Sequence, residues 1–284
     1  MVEVVRNQSS NPISRYQAYS HLLGEGANAS VFLGRDIYSN EKVALKFTDY
    51  SNLPIETIQQ LENEAHILQK ISKLPKHDEF LHFKDLVQQD GEVCFVTEYV
   101  EGGTFVDYCK PYPNSTIPER IAKWPFLKLL KAIERLHKEN ICHRDLKLEN
   151  IMYNKETHKL KIIDFGFAAE TKKDGIAIKH KDACGSVHYV APEIVSRNDY
   201  DGKLADVWSL GVILFVLLAG CFPFNDIENR PEIIFDKIVA GEFFMPSWLS
   251  SDVQTLLSSM LQCDPKKRPK VSDLINHPWF SKHY

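Results

Sequence analysis

Between Ile141 and Asn150 the chain reads Ile-Cys-His-Arg-Asp-Leu-Lys-Leu-Glu-Asn, which sets the carboxylate of Asp145, the ammonium of Lys147 and the amide of Asn150 within six residues. A second carboxylate, Asp164, follows in Ile162-Ile163-Asp164-Phe165-Gly166. Such a set suits phosphoryl transfer, which needs charge neutralisation by Mg²⁺ and a carboxylate that orients the attacking hydroxyl. Asp145 fits the carboxylate, and Lys147 stands where it can meet the transferring phosphate. Asn150 and Asp164 offer hard oxygen ligands to Mg²⁺, which prefers oxygen and accepts few protein ligands. An H-R-D-L-K-x-x-N string followed by D-F-G at this separation is too specific for packing alone to explain.

Two further segments could meet a polyphosphate. Leu23-Gly24-Glu25-Gly26-Ala27-Asn28-Ala29-Ser30-Val31 lies between strand-like stretches, where glycine lets backbone amides approach phosphate oxygens without a Cβ in the way. Alone this signal is weak. Two glycines in a hairpin also make an ordinary turn, and Ala29 stands where a G-x-G-x-x-G motif has its third glycine. No strand-to-helix context follows, which argues against a dinucleotide site. Beyond it, Val43-Ala44-Leu45-Lys46 puts a lysine among apolar strand residues, where it needs an anionic partner or a depressed pKa. Glu64 can supply the anion from a segment with helical periodicity.

The elements that must position these residues fall into two textures. Over residues 20 to 100 the sequence alternates like strands. VFLGRDI and KVALKFT are separated by a polar turn, Tyr38-Ser39-Asn40-Glu41, and FLHFKDLVQQ and EVCFVTEYV are joined by Asp90-Gly91 as a hairpin. One helix interrupts, with Ile58, Leu61, Ala65, Leu68 and Ile71 recurring at three or four residues between Ile55 and Ile71. After Gly102-Gly103 helices dominate. Leu127, Leu130, Ile133, Leu136 and His137 share one face, Ala205 to Ala219 is apolar almost all round, and Val253 to Leu261 is amphipathic. Pro125, inside the stretch 119 to 138, predicts a kinked or late-starting helix. The result is an α+β, bilobal plan: a small β-rich half, a larger α-rich half, and a hinge near Glu98 to Gly103.

Composition narrows the classes. The chain has 284 residues, 44% hydrophobic and 25% charged, with a net charge of −4 that gives no nucleic-acid footprint. The start, MVEVVRNQSSNP, lacks the pattern of a signal peptide, and the apolar run Leu210 to Ala219 is about half the roughly 20 residues of a membrane span. Six scattered cysteines without a C-x-x-C pair fit reduced thiols in the cytoplasm or nucleus. In that compartment the sequons at Asn7, Asn28 and Asn114 are silent.

Taken together, these motifs resemble the eukaryotic protein-kinase superfamily, of serine/threonine type. The resemblance implies a bilobal kinase domain over residues 20–280, with an N-lobe about 20–99 and a C-lobe about 104–280. Residues 1–19 are then an N-terminal extension and 281–284 a tail. It further implies ATP and Mg²⁺ as cofactors, Ser/Thr hydroxyls of proteins as substrates, and neither nucleic acid nor a membrane span as partner. By resemblance, Leu23 to Val31 and Ala44 line the nucleotide site, Lys46 holds the α/β-phosphates and pairs with Glu64, Thr97 is the gatekeeper, and Glu98 to Val100 meet adenine. Glu193 of Ala191-Pro192-Glu193 pairs with Arg268, and Asp206 braces the catalytic loop. Leu148, Cys184-Gly185-Ser186 and His277-Pro278-Trp279-Phe280 are similar to the calmodulin-dependent-kinase-like group, the AMP-activated-kinase-like branch above all. Lys46, Glu64, Asp145, Asn150 and Asp164 all stand, which argues against an inactive scaffold. The A-P-E segment argues against a small-molecule kinase. Relatives carry a phosphorylatable threonine two residues before the cysteine of C-G-S; Asp182 occupies that place here, and Lys172 to Ala183 contain no hydroxyl. The resemblance therefore implies a kinase that needs no activation-loop phosphate. It also implies a modest basic substrate preference, because Glu149 is kept but Thr104 replaces a second acid, with Ala183, Val187 and Val190 lining an apolar subsite.

Overall fold

A computed structural model describes residues 15–281 except 27, 28, 52, 76, 77 and 90. Ala27, Asn28 and Asp90, residues 282–284, the sequon at Asn7 and most of the expected N-terminal extension lie outside the described residues. The chain divides between Glu101 and Gly102 into two compact units.

In the first unit, strands β1 (Tyr16–Glu25), β2 (Ala29–Asp36), β3 (Lys42–Asp49), β4 (Phe83–Gln89) and β5 (Glu92–Glu98) form one antiparallel sheet, ordered β1-β2-β3-β5-β4. Helix α1 (Ile55–Ser72) falls between β3 and β4 in the chain. The two-residue period of a strand sorts side chains by face. Val43 and Leu45 turn into a cluster with Tyr16, Val87, Cys94 and Val96, which leaves Ala44 and Lys46 on the other face. Register then carries the row across the sheet: Val31 pairs Lys46 and Lys46 pairs Phe95, while Leu33 pairs Ala44 and Ala44 pairs Thr97. Val31, Ala44, Lys46 and Thr97 therefore share one face. Helix α1 buries Ala65, Leu68 and Ile71 of the face that its periodicity predicts, leaves Ile58 and Leu61 half-buried, and buries Ile67 and Glu64 as well. The strand expected from Phe80 begins at Phe83, with Phe80 fully buried ahead of it.

The second unit begins with β6 (Gly103–Thr104), α2 (Phe105–Cys109), α3 (Glu119–Lys138), β7 (Ile141–Cys142), β8 (Ile151–Asn154), β9 (Lys159–Ile162), β10 (Ala169–Glu170), β11 (Lys172–Lys173) and β12 (Ile176–Ala177). Helices α4 (Pro192–Val195), α5 (Gly202–Ala219), α6 (Pro231–Ala240), α7 (Ser251–Met260), α8 (Val271–Leu274) and α9 (Pro278–Ser281) complete it. Its sheets are small: β6-β8-β9, β10-β7 and β11-β12.

Helix α5 is the core of this unit. The Asp201 carboxylate accepts the Lys203 amide at 3.0 Å and caps its start. Gly220, at φ +70, closes its end in the left-handed region by donating to Val216. The helix is long and apolar enough to cross a membrane, with mean hydropathy 1.8 over 18 residues, and it contains the apolar run Leu210 to Ala219. However, 78% of that stretch is buried inside the unit, where the apolar surface serves as core.

Helix α3 corrects two expectations. It starts at Glu119, ahead of Pro125, because the Ile121 and Ala122 amides already bond to the Pro118 carbonyl at 2.8 and 3.0 Å and close the first turn before the proline. Its buried face is also wider than the predicted stripe. Phe126 and Leu129 are fully buried, whereas Leu127 is half-buried and the His137 side chain keeps 11% exposure, since the helix packs against both α5 and α8.

One buried ion pair ties α4 to the segment before α8. Arg268 donates from Nη1 and Nη2 to the two Glu193 oxygens at 2.7 and 2.6 Å, lies over the Trp208 ring, and also reaches the Gln262 and Leu204 carbonyls. Both side chains are almost wholly buried, so removing one strands the other's charge. Arg268→Met is expected to lower the unfolding free energy by about 3–5 kcal/mol in urea denaturation. A loss below about 1 kcal/mol would show that Glu193 finds solvent or another partner.

Candidate active site

The loop between β7 and β8 is built on one carboxylate of helix α5. Asp206, fully buried, accepts the His143 amide at 2.9 Å on Oδ2 and the Arg144 amide at 2.8 Å on Oδ1. His137 Nε2 lies 2.8 Å from Oδ2. Two successive amides can face one anion only if the backbone folds into a concave nest. Arg144 accordingly sits at φ +65, a conformation that non-glycine residues take at a cost of about 1–3 kcal/mol. Burial pushes the Asp206 carboxyl up, but the hydrogen bond and charge of His137, the charge of His143 and its amide more than offset this, so the pKa falls below the ordinary value.

With the backbone fixed, the side chains of the next residues converge. Asp145 accepts Lys147 Nζ at 2.8 Å and Asn150 Nδ2 at 3.2 Å on Oδ2, and the Ser186 hydroxyl at 2.9 Å on Oδ1. Lys147 Nζ also reaches Ser186 Oγ at 3.1 Å. The Asn150 amide nitrogen further donates to the Asp145 carbonyl at 2.9 Å, so its two recorded bonds both use nitrogen and leave Oδ1 as a hard donor for a cation. Asp164 comes next to this group through Ile163, whose amide donates to the Asn150 carbonyl at 2.9 Å. Its own backbone is left-handed at φ +61, and Oδ1 accepts the Gly166 amide at 3.3 Å. The fully buried Phe165 ring packs on His143, with centroids 5.2 Å apart, and locks the two motifs together.

Arg144 extends the same hub outward. Its Nε donates to the Phe167 carbonyl at 2.7 Å and its Nη1 to Asp182 Oδ2 at 2.6 Å. Burial raises the Asp182 pKa, yet the charge of Arg144 and its hydrogen bond bring it below the ordinary value. Asp182 is thus a carboxylate at neutral pH. Gly185, at φ +106, fits over the Arg144 carbonyl where a Cβ would come within 3.0 Å.

The first unit holds its own set. Lys46 Nζ donates to both Glu64 oxygens at 2.7 and 3.0 Å and lies 5.7 Å from the Phe95 ring centroid. Leu23, Gly24 and Glu25 end β1, and Ala29, Ser30 and Val31 open β2. Among the described residues, no atom lies within 4 Å of where a Cβ would be at Gly24, and at Gly26 the nearest such contact is 3.7 Å away. Packing does not demand glycine there, and the open space is what a phosphate approaching the backbone needs. Thr97 is buried beside Ala44, Val100 is half-buried, and the Glu98 side chain accepts the His82 amide at 2.8 Å. Glu98 therefore offers backbone rather than carboxylate to a ligand. Within the first unit an ammonium and an uncrowded glycine turn suit phosphate, and within the second the Asn150 and Asp164 oxygens suit Mg²⁺. Among the described residues no group of three or more His, Cys, Asp or Glu side chains could hold a metal, and Mg²⁺ needs only one or two carboxylates.

Sequence reasoning missed Ser186 as a partner of Asp145 and Lys147, and missed His137 and the Phe167 carbonyl as parts of the hub. Only the hydrophilic His137 on an apolar helix face carried a signal.

Comparison with known proteins follows the same lines. The profile of the Protein kinase domain family matches residues 17–280. The chain is 36% identical over 284 residues to CBL-interacting protein kinase 5 of Oryza sativa subsp. japonica, covering 99% of this chain and 59% of that protein. It is 36% identical to CBL-interacting serine/threonine-protein kinase 20 of Arabidopsis thaliana, over 96% of this chain and 60% of the relative. It is 33% identical to maternal embryonic leucine zipper kinase of Danio rerio, over 98% and 39%. The chain thus spans three-fifths or less of the length of these relatives.

The Asp206 tether makes a direct prediction. In Asp206→Asn one acceptor oxygen becomes an amine facing an amide donor, at a cost of about 1–3 kcal/mol for each buried group left unpaired. Hydrogen exchange at His143 and Arg144 should quicken at least about tenfold, because opening is then cheaper by about 1.4 kcal/mol or more. Exchange at the parent rate would show that the loop is held by other contacts.

Proposed function

The chain belongs to the protein kinase family, within its calmodulin-dependent-kinase-like serine/threonine group, and on that premise we propose that it transfers the γ-phosphoryl group of ATP to serine and threonine hydroxyls of proteins. The observation that carries this reading is the hydrogen bond from the Ser186 hydroxyl to Asp145 at 2.9 Å, with Lys147 touching both. A hydroxyl already rests on this carboxylate at general-base distance, with a cation beside it. An acceptor serine or threonine entering there gives its proton to Asp145 as its oxygen bonds to phosphorus and the β–γ bridging bond breaks. Lys147 offsets the charge on the transferring oxygens.

Lys46, oriented by Glu64, holds the α- and β-phosphates, and the Leu23 to Val31 turn supplies backbone donors above them. Adenine meets the backbone of Glu98 to Val100, with Ala44 and Thr97 on the shared face of the sheet. Asn150 and Asp164 would hold Mg²⁺, which would neutralise charge on the transferring phosphate. The protein works in the cytoplasm or nucleus; its six cysteines, three of them buried as small apolar side chains, suit a reducing compartment.

The enzyme is active without phosphate on its activation segment. Asp182 meets Arg144 at 2.6 Å, while Lys179 and Lys181 pair with Asp201 and Asp199 instead, so Asp182 is not simply solvated among its neighbours. A phosphate brings about −1.5 to −2 charges, a carboxylate only −1, and a single arginine balances the latter. Peptide preference is modestly basic. Glu149 is exposed, while Thr104 is consumed in capping α2, where its hydroxyl donates to Asp107 at 2.9 Å.

Asp145→Asn should keep the rise in melting temperature given by Mg·ATP yet lose at least about a hundredfold in kcat, the low end for general-base catalysis. Activity within tenfold of the parent, about 1.4 kcal/mol in the barrier, would remove Asp145 from the reaction. In protein shown by mass spectrometry to be unphosphorylated, Asp182→Ala should lose about tenfold in kcat, again about 1.4 kcal/mol. A parent that is inactive until another loop residue is modified would end the carboxylate reading.

A further inference from the structure

Tyr200 lies in the turn before α5, outside every motif that the sequence marks. It is nonetheless only 2% exposed, and its phenol sits inside the Arg144 hub. Arg144 Nη1 donates to the Tyr200 oxygen at 3.1 Å, and the Tyr200 hydroxyl donates to the backbone carbonyl of Asp182 at 3.1 Å. The same guanidinium nitrogen holds the Asp182 carboxylate. The three groups close a ring in which Asp182 is gripped at both ends, its side chain by Arg144 and its backbone by Tyr200. A phenol can do this because it accepts and donates at once; phenylalanine does neither, and a charged side chain would upset the balance with Arg144.

The backbone of Tyr200 repeats the attachment. Its amide donates to the His180 carbonyl at 2.9 Å and its carbonyl accepts the His180 amide at 3.0 Å, while the two rings pack 5.6 Å apart. Cys184 Sγ, two residues past Asp182, lies 3.5 Å from the same hydroxyl. Burial pushes the phenol's pKa well up, so the proton it donates is always present. Tyr200 therefore touches the activation segment at residues 180, 182 and 184 in succession. Asp182 itself is about two-thirds exposed on its side chain, and an exposed ion pair alone contributes only about 0.2–1 kcal/mol. The buried phenol is the part of the ring that water cannot replace.

We propose that Tyr200 is a positioning residue for phosphoryl transfer: by hydrogen-bonding Arg144 and the Asp182 backbone together, it holds the unphosphorylated activation segment in its working place. This rests on the kinase reading and deepens the role given to Asp182.

The test compares Tyr200→Phe, Asp182→Ala and the double variant as full chains, each confirmed unphosphorylated, in steady-state transfer to a basic serine peptide. Tyr200→Phe keeps the buried ring, and thermal melting checks that it folds. The expected result is a five- to tenfold fall in kcat with the KM for ATP unchanged. In the Asp182→Ala background the same substitution should cost less than it does in the parent, because one of the three groups that close the ring is already gone. Parent kcat in Tyr200→Phe would overturn the proposal. So would a loss repeated in full in the Asp182→Ala background, or one matched by a lower folded fraction, since either marks a merely structural tyrosine. The carboxylate reading is judged separately, by Asp182→Ala alone.

Discussion

A buried carboxylate facing two consecutive amides is an uncommon arrangement, and the second unit is organised around one. Asp206 has no solvent to stabilise its charge, so its hydrogen bonds from His137, His143 and Arg144 are obligatory. They in turn force Arg144 into the left-handed region. That single backbone twist turns the Arg144 side chain toward Phe167 and Asp182 and sends the following Asp145 side chain the other way, toward Lys147, Asn150 and Ser186. The strain is small beside the charge-assisted bonds that repay it. Helix α5, capped by Asp201 and surrounded by core, is rigid enough to hold the carboxylate still.

Each unit holds a different kind of group. The first presents an ammonium fixed by a buried glutamate, on a sheet face whose register also carries Val31, Ala44 and Thr97. The second presents acids, an amide and a lysine within one loop and the strand that follows. Charges of opposite sign are thus paired internally, with Lys46 on Glu64, Lys147 on Asp145 and Arg144 on Asp182. Each pair holds its members in a fixed orientation within its own unit.

Much of this was legible in the sequence because its period or spacing has a single physical reading. Strand alternation around Lys46 places it opposite the core, and the three-to-four spacing from Ile55 to Ile71 puts Glu64 on a buried helix, so their pairing was predictable. The H-R-D and D-F-G strings mark Asp145, Asn150 and Asp164 as candidates from the sequence alone. What escaped was tertiary. Ser186 joins Asp145 across 41 residues and Tyr200 joins Arg144 across 56, and no local pattern encodes either contact. Pro125 suggests a late start for α3, yet the helix fills the whole stretch Glu119–Lys138, because proline seven residues into a helix loses one bond without unwinding a first turn closed by Pro118. Helix α5 was legible as a buried apolar helix, but not the use it makes of Asp206, Trp208 and Ser209, which it buries for the catalytic loop, the Arg268 stack and the Tyr189 carbonyl.

The account holds that the activation segment is ordered by a carboxylate and by buried hydrogen bonds, with no phosphate present. Hydrogen–deuterium exchange across residues 178–190, in protein that mass spectrometry shows to be free of phosphate, measures this directly. The amides of His180, Tyr189 and Val190, which bond to Tyr200 and Ser186, are predicted to exchange at least about a hundredfold more slowly than in an unstructured chain, which corresponds to about 2.7 kcal/mol of local stability. Exchange at the unstructured rate, slowing only after a phosphate is added to the segment, would contradict it.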